Sequence, residues 1–273
     1  MKTMLENVRN NVPLVHFITN YVTVNDVANM MLACGGSPIM SDEISDVEDI
    51  TAICNATVLN IGTLNKNTIE SMIAAGKKAN ASGHPVILDP VGAGASKLRT
   101  ETTFRLLKEV KFTVIRGNIS EIKTVYSGSG STKGVDADVV DVVTEDNLEE
   151  TVAFAKELSK TTGAIIAITG AIDIVADEKQ AYAVRNGVAA MSRITGTGCM
   201  LDAVIAGYVT ANADNKVKAV VAAIAAEGLC GEMAARKVEA EGSGTSSFRM
   251  YLIDAMSNLD GETLKEGAKV EIL

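Results

Sequence analysis

The alternation of short apolar runs with longer segments of helical period most restricts what this chain can fold into. Strand-length apolar runs fall at 14–18, 37–40, 56–61, 86–89, 113–116 and 164–169. Helix-period segments fall at 22–33, 67–81, 100–110, 120–126, 148–161, 199–210 and 216–239. Strands that read as nearly unbroken apolar runs are packed against a layer on each face. Their alternation with helices implies βαβ units and a parallel sheet. Right-handed crossovers then bring the loops after the strands to one edge, where ligands bind. The expected class is α/β, with a mostly parallel central sheet flanked by helices. The stretch 199–256 reads as almost wholly helical, and 269–273 carries a last strand signal. No proline-rich break, repeat or low-complexity tract interrupts the chain, so one domain over 1–273 is expected. The run Gly-Ser-Gly-Ser-Thr-Lys-Gly at 128–134 reads as a loop. It is no phosphate-binding Walker motif, since Gly134 follows Lys133 where that motif has Ser or Thr.

Charge removes several functions. The formal net charge of -9 leaves no basic field for a nucleic-acid backbone. Aromatic residues at 4% are too sparse for a base-stacking platform. The histidines His16 and His84 are far apart and none of the cysteines forms a Cys-x-x-Cys pair, so no zinc site is expected. Cys34, Cys54 and Cys230 lie in apolar surroundings and read as buried thiols. No signal-peptide pattern and no uncharged apolar run of about 18 residues occurs, which points to a cytoplasmic protein without a membrane span.

Four places carry residues with chemistry. Asp89 closes a strand and precedes Pro90 and a glycine turn. It either caps that turn or presents a carboxylate to Mg²⁺, which favours one or two carboxylates together with phosphate oxygens. Arg116 closes the next strand, where its planar fork suits a polyphosphate. Asn118 and Glu121 follow on one side of a helix start; they either cap that helix or face a ligand and its metal. Thr169-Gly170 closes a buried strand, with a hydroxyl suited to a phosphate. Finally, Gly196-Thr197-Gly198-Cys199 turns directly into a helix. Glycines let the backbone aim its N–H groups at one point, and a helix start adds unpaired N–H groups and positive dipole charge. Such a turn suits an anion, above all a phosphoryl group in transfer.

Asn118-x-x-Glu121 with a later Gly196-Thr197-Gly198-Cys199 resembles the ribokinase-like small-molecule kinases. The blocks His16–Asn29, Gly36–Met40, Asn60–Leu64 and Asp89–Ala93 narrow the resemblance to the hydroxyethylthiazole kinase family of thiamine salvage. It runs from about His16 to at least Ala240. The resemblance implies a three-layer ribokinase-like fold and phosphorylation of 4-methyl-5-(2-hydroxyethyl)thiazole by ATP with Mg²⁺. It also implies a homotrimer with sites at subunit boundaries; from charge and hydropathy, neither nucleic acid nor membrane is expected as partner. On matching positions, Asn20, Met40 and Gly196 would contact the thiazole. Arg116, Thr169 and Asn118 would contact ATP. Asp89 and Glu121 would hold Mg²⁺, and Gly196 to Cys199, including Thr197 and Gly198, would form the anion hole. The wider ribokinase-like group places an Asp where Cys199 stands, so Cys199 is expected to position the alcohol and to act at most as a modest base. A hydroxymethylpyrimidine kinase and a non-catalytic nucleotide-binding regulator are the competing readings.

Overall fold

The computed structural model describes residues 1–128 and 142–273. The chain opens with α1 (Lys2–Asn11), β1 (Leu14–Ile18), α2 (Val24–Cys34), β2 (Ser37–Met40) and α3 (Val47–Ile53). It continues through β3 (Ala56–Asn60), α4 (Lys66–Ala81), β4 (Val86–Asp89), α5 (Lys97–Glu109), β5 (Val114–Asn118) and α6 (Ile119–Gly128). After the undescribed stretch come α7 (Leu148–Thr162), β6 (Ile165–Thr169), β7 (Asp173–Ala176) and β8 (Ala181–Val184). The chain then turns helical in α8 (Thr197–Ala211), α9 (Lys216–Glu241), α10 (Thr245–Asn258) and α11 (Gly261–Gly267), before β9 (Val270–Ile272). The loop expected at 128–134 lies outside the described residues from 129 on; Gly128 ends α6.

All strands join one sheet in the order β2-β1-β3-β4-β5-β6-β7-β8-β9. Pairing is parallel from β2 through β6 and antiparallel from β6 through β9. The mostly parallel sheet expected from the alternation is present. The antiparallel hairpin of β7 and β8 was not expected, because its strands are four residues each and carry no clear period.

Successive strand side chains point to opposite faces, and the core divides accordingly. Val15, Phe17, Val58, Ile87 and Val114 pack toward α1, α2, α8, α9 and α10. Ile18, Leu59, Leu88, Ile115 and Ile168 pack toward residues of α4, α5, α6 and α7. Two apolar layers on one sheet explain why the parallel strands read as continuous apolar runs rather than as alternating ones. Among the described residues, no helix is long and apolar enough to cross a membrane.

Candidate active site

Parallel pairing brings the strand ends to one edge. Asn60 closes β3 beside Asp89 of β4, and Asn118 closes β5 beside Thr169 of β6. The strand order turns between β1 and β3, since β2 lies outside β1 while the later strands extend the other way. A crevice forms at such a switch point because the flanking crossovers diverge there. Asn20, just past β1, borders it.

The start of α8 lies over this crevice. Its N-cap Gly196 has φ 94°, in the left-handed region, and a Cβ there would stand 2.6 Å from Thr23 Cγ2. Among the described residues, no side chain caps the helix. The first intrahelical bond runs from Met200 N–H to the Gly196 carbonyl at 2.8 Å. The amides of Thr197, Gly198 and Cys199 therefore lack an intrahelical acceptor and carry the positive end of the dipole. Thr197 Oγ1 donates to the Met191 carbonyl at 3.3 Å, which ties the helix start to the segment before it.

A buried polar cluster supports this turn from below. Arg116 Nη1 donates to Asp89 Oδ2 at 2.8 Å and lies 3.7 Å from Asp202 Oδ1. Asn60 Nδ2 reaches Asp89 Oδ2 at 2.7 Å, Asp202 Oδ2 at 3.3 Å and Cys199 Sγ at 3.3 Å. Asn20 Nδ2 donates to Asn60 Oδ1 at 3.1 Å and to Cys199 Sγ at 3.2 Å. Its Oδ1 accepts from the Thr23 N–H and hydroxyl. Burial opposes the Arg116 charge, but Asp89 and Asp202 outweigh it and hold the guanidinium above its ordinary range. Burial, then the Asp89 charge, pushes the Asp202 carboxyl well above the usual carboxylate range.

Asn118 and Glu121 cap the start of α6 reciprocally. Asn118 N–H donates to Glu121 Oε2 and Glu121 N–H to Asn118 Oδ1, both at 2.9 Å. Glu121 Oε1 also accepts from Gly92 N–H at 2.8 Å, fixing the glycine turn after β4. Burial raises the Glu121 carboxyl, and the Gly92 amide partly offsets it. The capping alternative is thus realised in the geometry, and both residues still border open space.

Two cavities meet here. One, of ≈ 380 Å³, is lined by Asn20, Thr23, Asp89, Glu121, Gly196 and Cys199. The other, of ≈ 740 Å³, is lined by Gly170, Val188, Met191, Thr197, Leu201 and Glu227. Arg116, Asn118, Thr169 and Gly198 line both. Met40 ends the edge strand β2 and packs against the core, outside the lining of either cavity. A third cavity, of ≈ 660 Å³, opens at the starts of β5 and β6, and none of the strand-end residues borders it.

The expected residues thus come together, Met40 excepted. Asn60, Arg99 and Asp202 were not singled out from sequence. Arg99 joins the turns by donating to the Val91 and Gly62 carbonyls at 2.7 and 2.6 Å. Asp202 did leave a signal: it is a lone carboxylate three residues after Cys199 in an otherwise apolar helix.

A cation has donors to meet. Asp89 Oδ1 and Asp202 Oδ1 are buried with no hydrogen-bond partner among the described residues. Ligand atoms of Asp89, Asp202 and Cys199 lie within 4.8 Å of one another. Two carboxylate oxygens suit a hard cation, and the sulfur does not.

The family model described as the hydroxyethylthiazole kinase family matches residues 5–262. A hydroxyethylthiazole kinase of Clostridium acetobutylicum is 60% identical over 99% of each chain. The solved structure of a hydroxyethylthiazole kinase protein from Pyrococcus horikoshii superposes with a TM-score of 0.88 at 33% identity, covering 100% of this chain and 98% of that one. A ribokinase-like superfamily protein of Enterococcus faecalis shares the fold, with a TM-score of 0.64 at 12% identity over 96% and 95% of the two chains.

Proposed function

The chain belongs to the hydroxyethylthiazole kinase family, and we propose how its residues divide the work of that reaction. The reaction is ATP-dependent phosphorylation of the hydroxyl of 4-methyl-5-(2-hydroxyethyl)thiazole, giving the thiazole phosphate used in thiamine biosynthesis. The smaller cavity takes the thiazole alcohol, with Asn20, Gly196 and Met40 as its contacts. The larger takes ATP, with Arg116, Thr169 and Asn118 toward the phosphates. The observation that carries this division is that the two cavities share Gly198, Arg116, Asn118 and Thr169. Two ligands that meet at one point suit transfer between them.

The alcohol oxygen attacks the γ-phosphorus while the bond to the bridging oxygen breaks and ADP leaves. Phosphoryl transfer depends on positioning and charge stabilisation more than on covalent help. The Thr197, Gly198 and Cys199 amides stabilise the charge on the transferred group. Cys199 Sγ, held by two amide N–H groups, positions the alcohol, whose proton leaves to solvent water with at most weak help from that sulfur. Asp89 and Glu121 would hold Mg²⁺, with Asp202 beside Asp89. The metal, when bound, offsets phosphate charge.

The protein acts as a single kinase domain and as a homotrimer with sites at subunit boundaries. Met40 ends an edge strand, and Tyr21 and Val22, beside the smaller cavity's Asn20, are 79% and 58% exposed. A neighbouring subunit covering that edge would bring Met40 to the thiazole. Light scattering after gel filtration tests this, with an expected mass of three times 28.6 kDa. A mass of one chain at micromolar concentration sinks the trimer.

ADP release measured with and without the thiazole alcohol tests the reaction, with the phosphorylated product identified by mass spectrometry. Turnover that depends on the thiazole is expected. Equal ADP release in both cases, or preference for hydroxymethylpyrimidine, overturns it.

A further inference from the structure

Glu227 stands in the middle of α9, 2% exposed, and lines the larger cavity with Ile224 and Gly228. Both of its carboxyl oxygens are buried without a hydrogen-bond partner among the described residues. A buried carboxyl without a partner is costly, so such a group calls for one from outside the chain. The surroundings say which kind. Val188, Ala189, Met191, Leu201 and Ile224 give the cavity an apolar wall. The same lining holds Arg116, Asn118, Thr169 and the helix-start amide of Gly198, which suit phosphate. Beside it Gly228 packs on Asn186, so closely that a Cβ on the glycine would lie 2.7 Å from the Asn186 backbone. An apolar wall beside a buried, unpartnered carboxyl fits a flat heteroaromatic ring held by its edge.

We propose that Glu227 selects the base of the nucleotide: its carboxyl accepts a hydrogen bond from the exocyclic amine of adenine and donates one to the adjacent ring nitrogen. This rests on the reading that ATP occupies the larger cavity with its phosphates toward Gly198. Burial pushes the Glu227 carboxyl well above the usual carboxylate range against the charge of Arg116, which favours the protonated acid with one donor and one acceptor. A neutral acid also spares the triphosphate a nearby negative charge. The glutamine amide offers the same donor and acceptor pair, whereas methionine fills the volume and offers neither.

The test is binding by calorimetry to the full chain, using a non-hydrolysable ATP analogue, inorganic tripolyphosphate and the matching analogue of purine-riboside triphosphate, which lacks the exocyclic amine. Glu227→Met is expected to weaken the ATP analogue about tenfold and to leave tripolyphosphate unchanged. Glu227→Gln is expected to stay within about threefold of wild type, and wild type to bind the amine-free analogue about tenfold more weakly. The proposal is overturned if Glu227→Met binds the ATP analogue as wild type does, or loses both ligands equally. It is equally overturned if Glu227→Gln falls with Glu227→Met, or if wild type does not distinguish the amine-free analogue. Should Glu227→Met not fold, the glutamine variant and the wild-type comparison decide. Gly170→Asp, next to Thr169 and on the larger cavity alone, separates the premise from the proposal. It places a carboxylate beside the phosphate-binding residues and is expected to weaken both the ATP analogue and tripolyphosphate. If it weakens neither, the cavity assignment fails; if it weakens both while Glu227→Met is silent, only the role of Glu227 fails.

Discussion

Gly198 and Arg116 meet so closely that a Cβ on the glycine would lie 2.1 Å from Arg116 Nη2. The helix start can therefore rest on the guanidinium only if residue 198 has no side chain. The same contact sets the amide cradle over the cation, so the two positive elements of the site are held in one place.

Gly198→Ala must push the helix start and Arg116 apart. Losing one well-aimed donor to a developing oxyanion costs on the order of 10²–10³ in turnover. A fall of kcat of about 10² is expected, together with a lower thermal midpoint, because moving Arg116 also disturbs its buried pair with Asp89. A variant with wild-type kcat would show that these amides do not stabilise the transferred group.

Arg116→Met leaves Asp89 and Asp202 buried without their cation. Breaking a buried ion pair from one side costs about 3–5 kcal/mol. Urea unfolding should show a loss of that size, together with loss of ATP binding. If stability is unchanged, the cluster is not the buried ionic support described here.

Cys199→Ala removes the sulfur that accepts from Asn20 and Asn60 but leaves the amide cradle. General-base help is worth about 10²–10⁴-fold, and a weakly basic, positioning thiol should contribute at the lower end or below it. Measurable turnover is expected from Cys199→Ala, and equal or greater kcat from Cys199→Asp. Complete loss in the alanine variant, with ligand binding and fold intact, would make the thiol an essential base.

Asp173 gives a pH signature. Part of the residue reaches the surface, but its carboxyl lies inward, and burial raises it from 3.8 to about 7 against the opposing Gly170 N–H. The folded state therefore keeps a proton that the unfolded chain releases. This stabilisation is fully present below about pH 4 and is lost as pH rises through about 7. Asp173→Asn should flatten the decline in thermal midpoint between pH 4 and 7 and gain on wild type at pH 8. Parallel midpoint curves for the two proteins would refute the assignment. At this chain length, each kcal/mol corresponds to about 2–4 °C.

The parallel half of the fold was legible because burial on both faces writes strands as unbroken apolar runs such as Leu14–Ile18. α1 was missed because Glu6, Arg9 and Asn10 hide an inward stripe of only Leu5 and Val8. α3, at seven residues, is too short to show a period. The hairpin of β7 and β8 depends on pairing between neighbours, which no local pattern declares.

The sequence by itself determined the alternation of the parallel strands with most of their helices and the strand ends that carry polar groups, because side-chain period and turn residues act over a few neighbours. It also marked Gly196–Cys199 as a helix start suited to an anion. Only the tertiary structure decided that Arg116 turns inward onto Asp89 and Asp202, and that Asn60 reaches across 139 positions to Cys199 and 142 to Asp202. It alone buried Glu227 unpartnered on a cavity wall. Hydrogen bonds and charge pairs between such distant residues form only when the sheet register and the packing of α8 and α9 bring them within a few ångströms. Coulomb and hydrogen-bond energies depend on that separation in space, and separation along the chain does not set it.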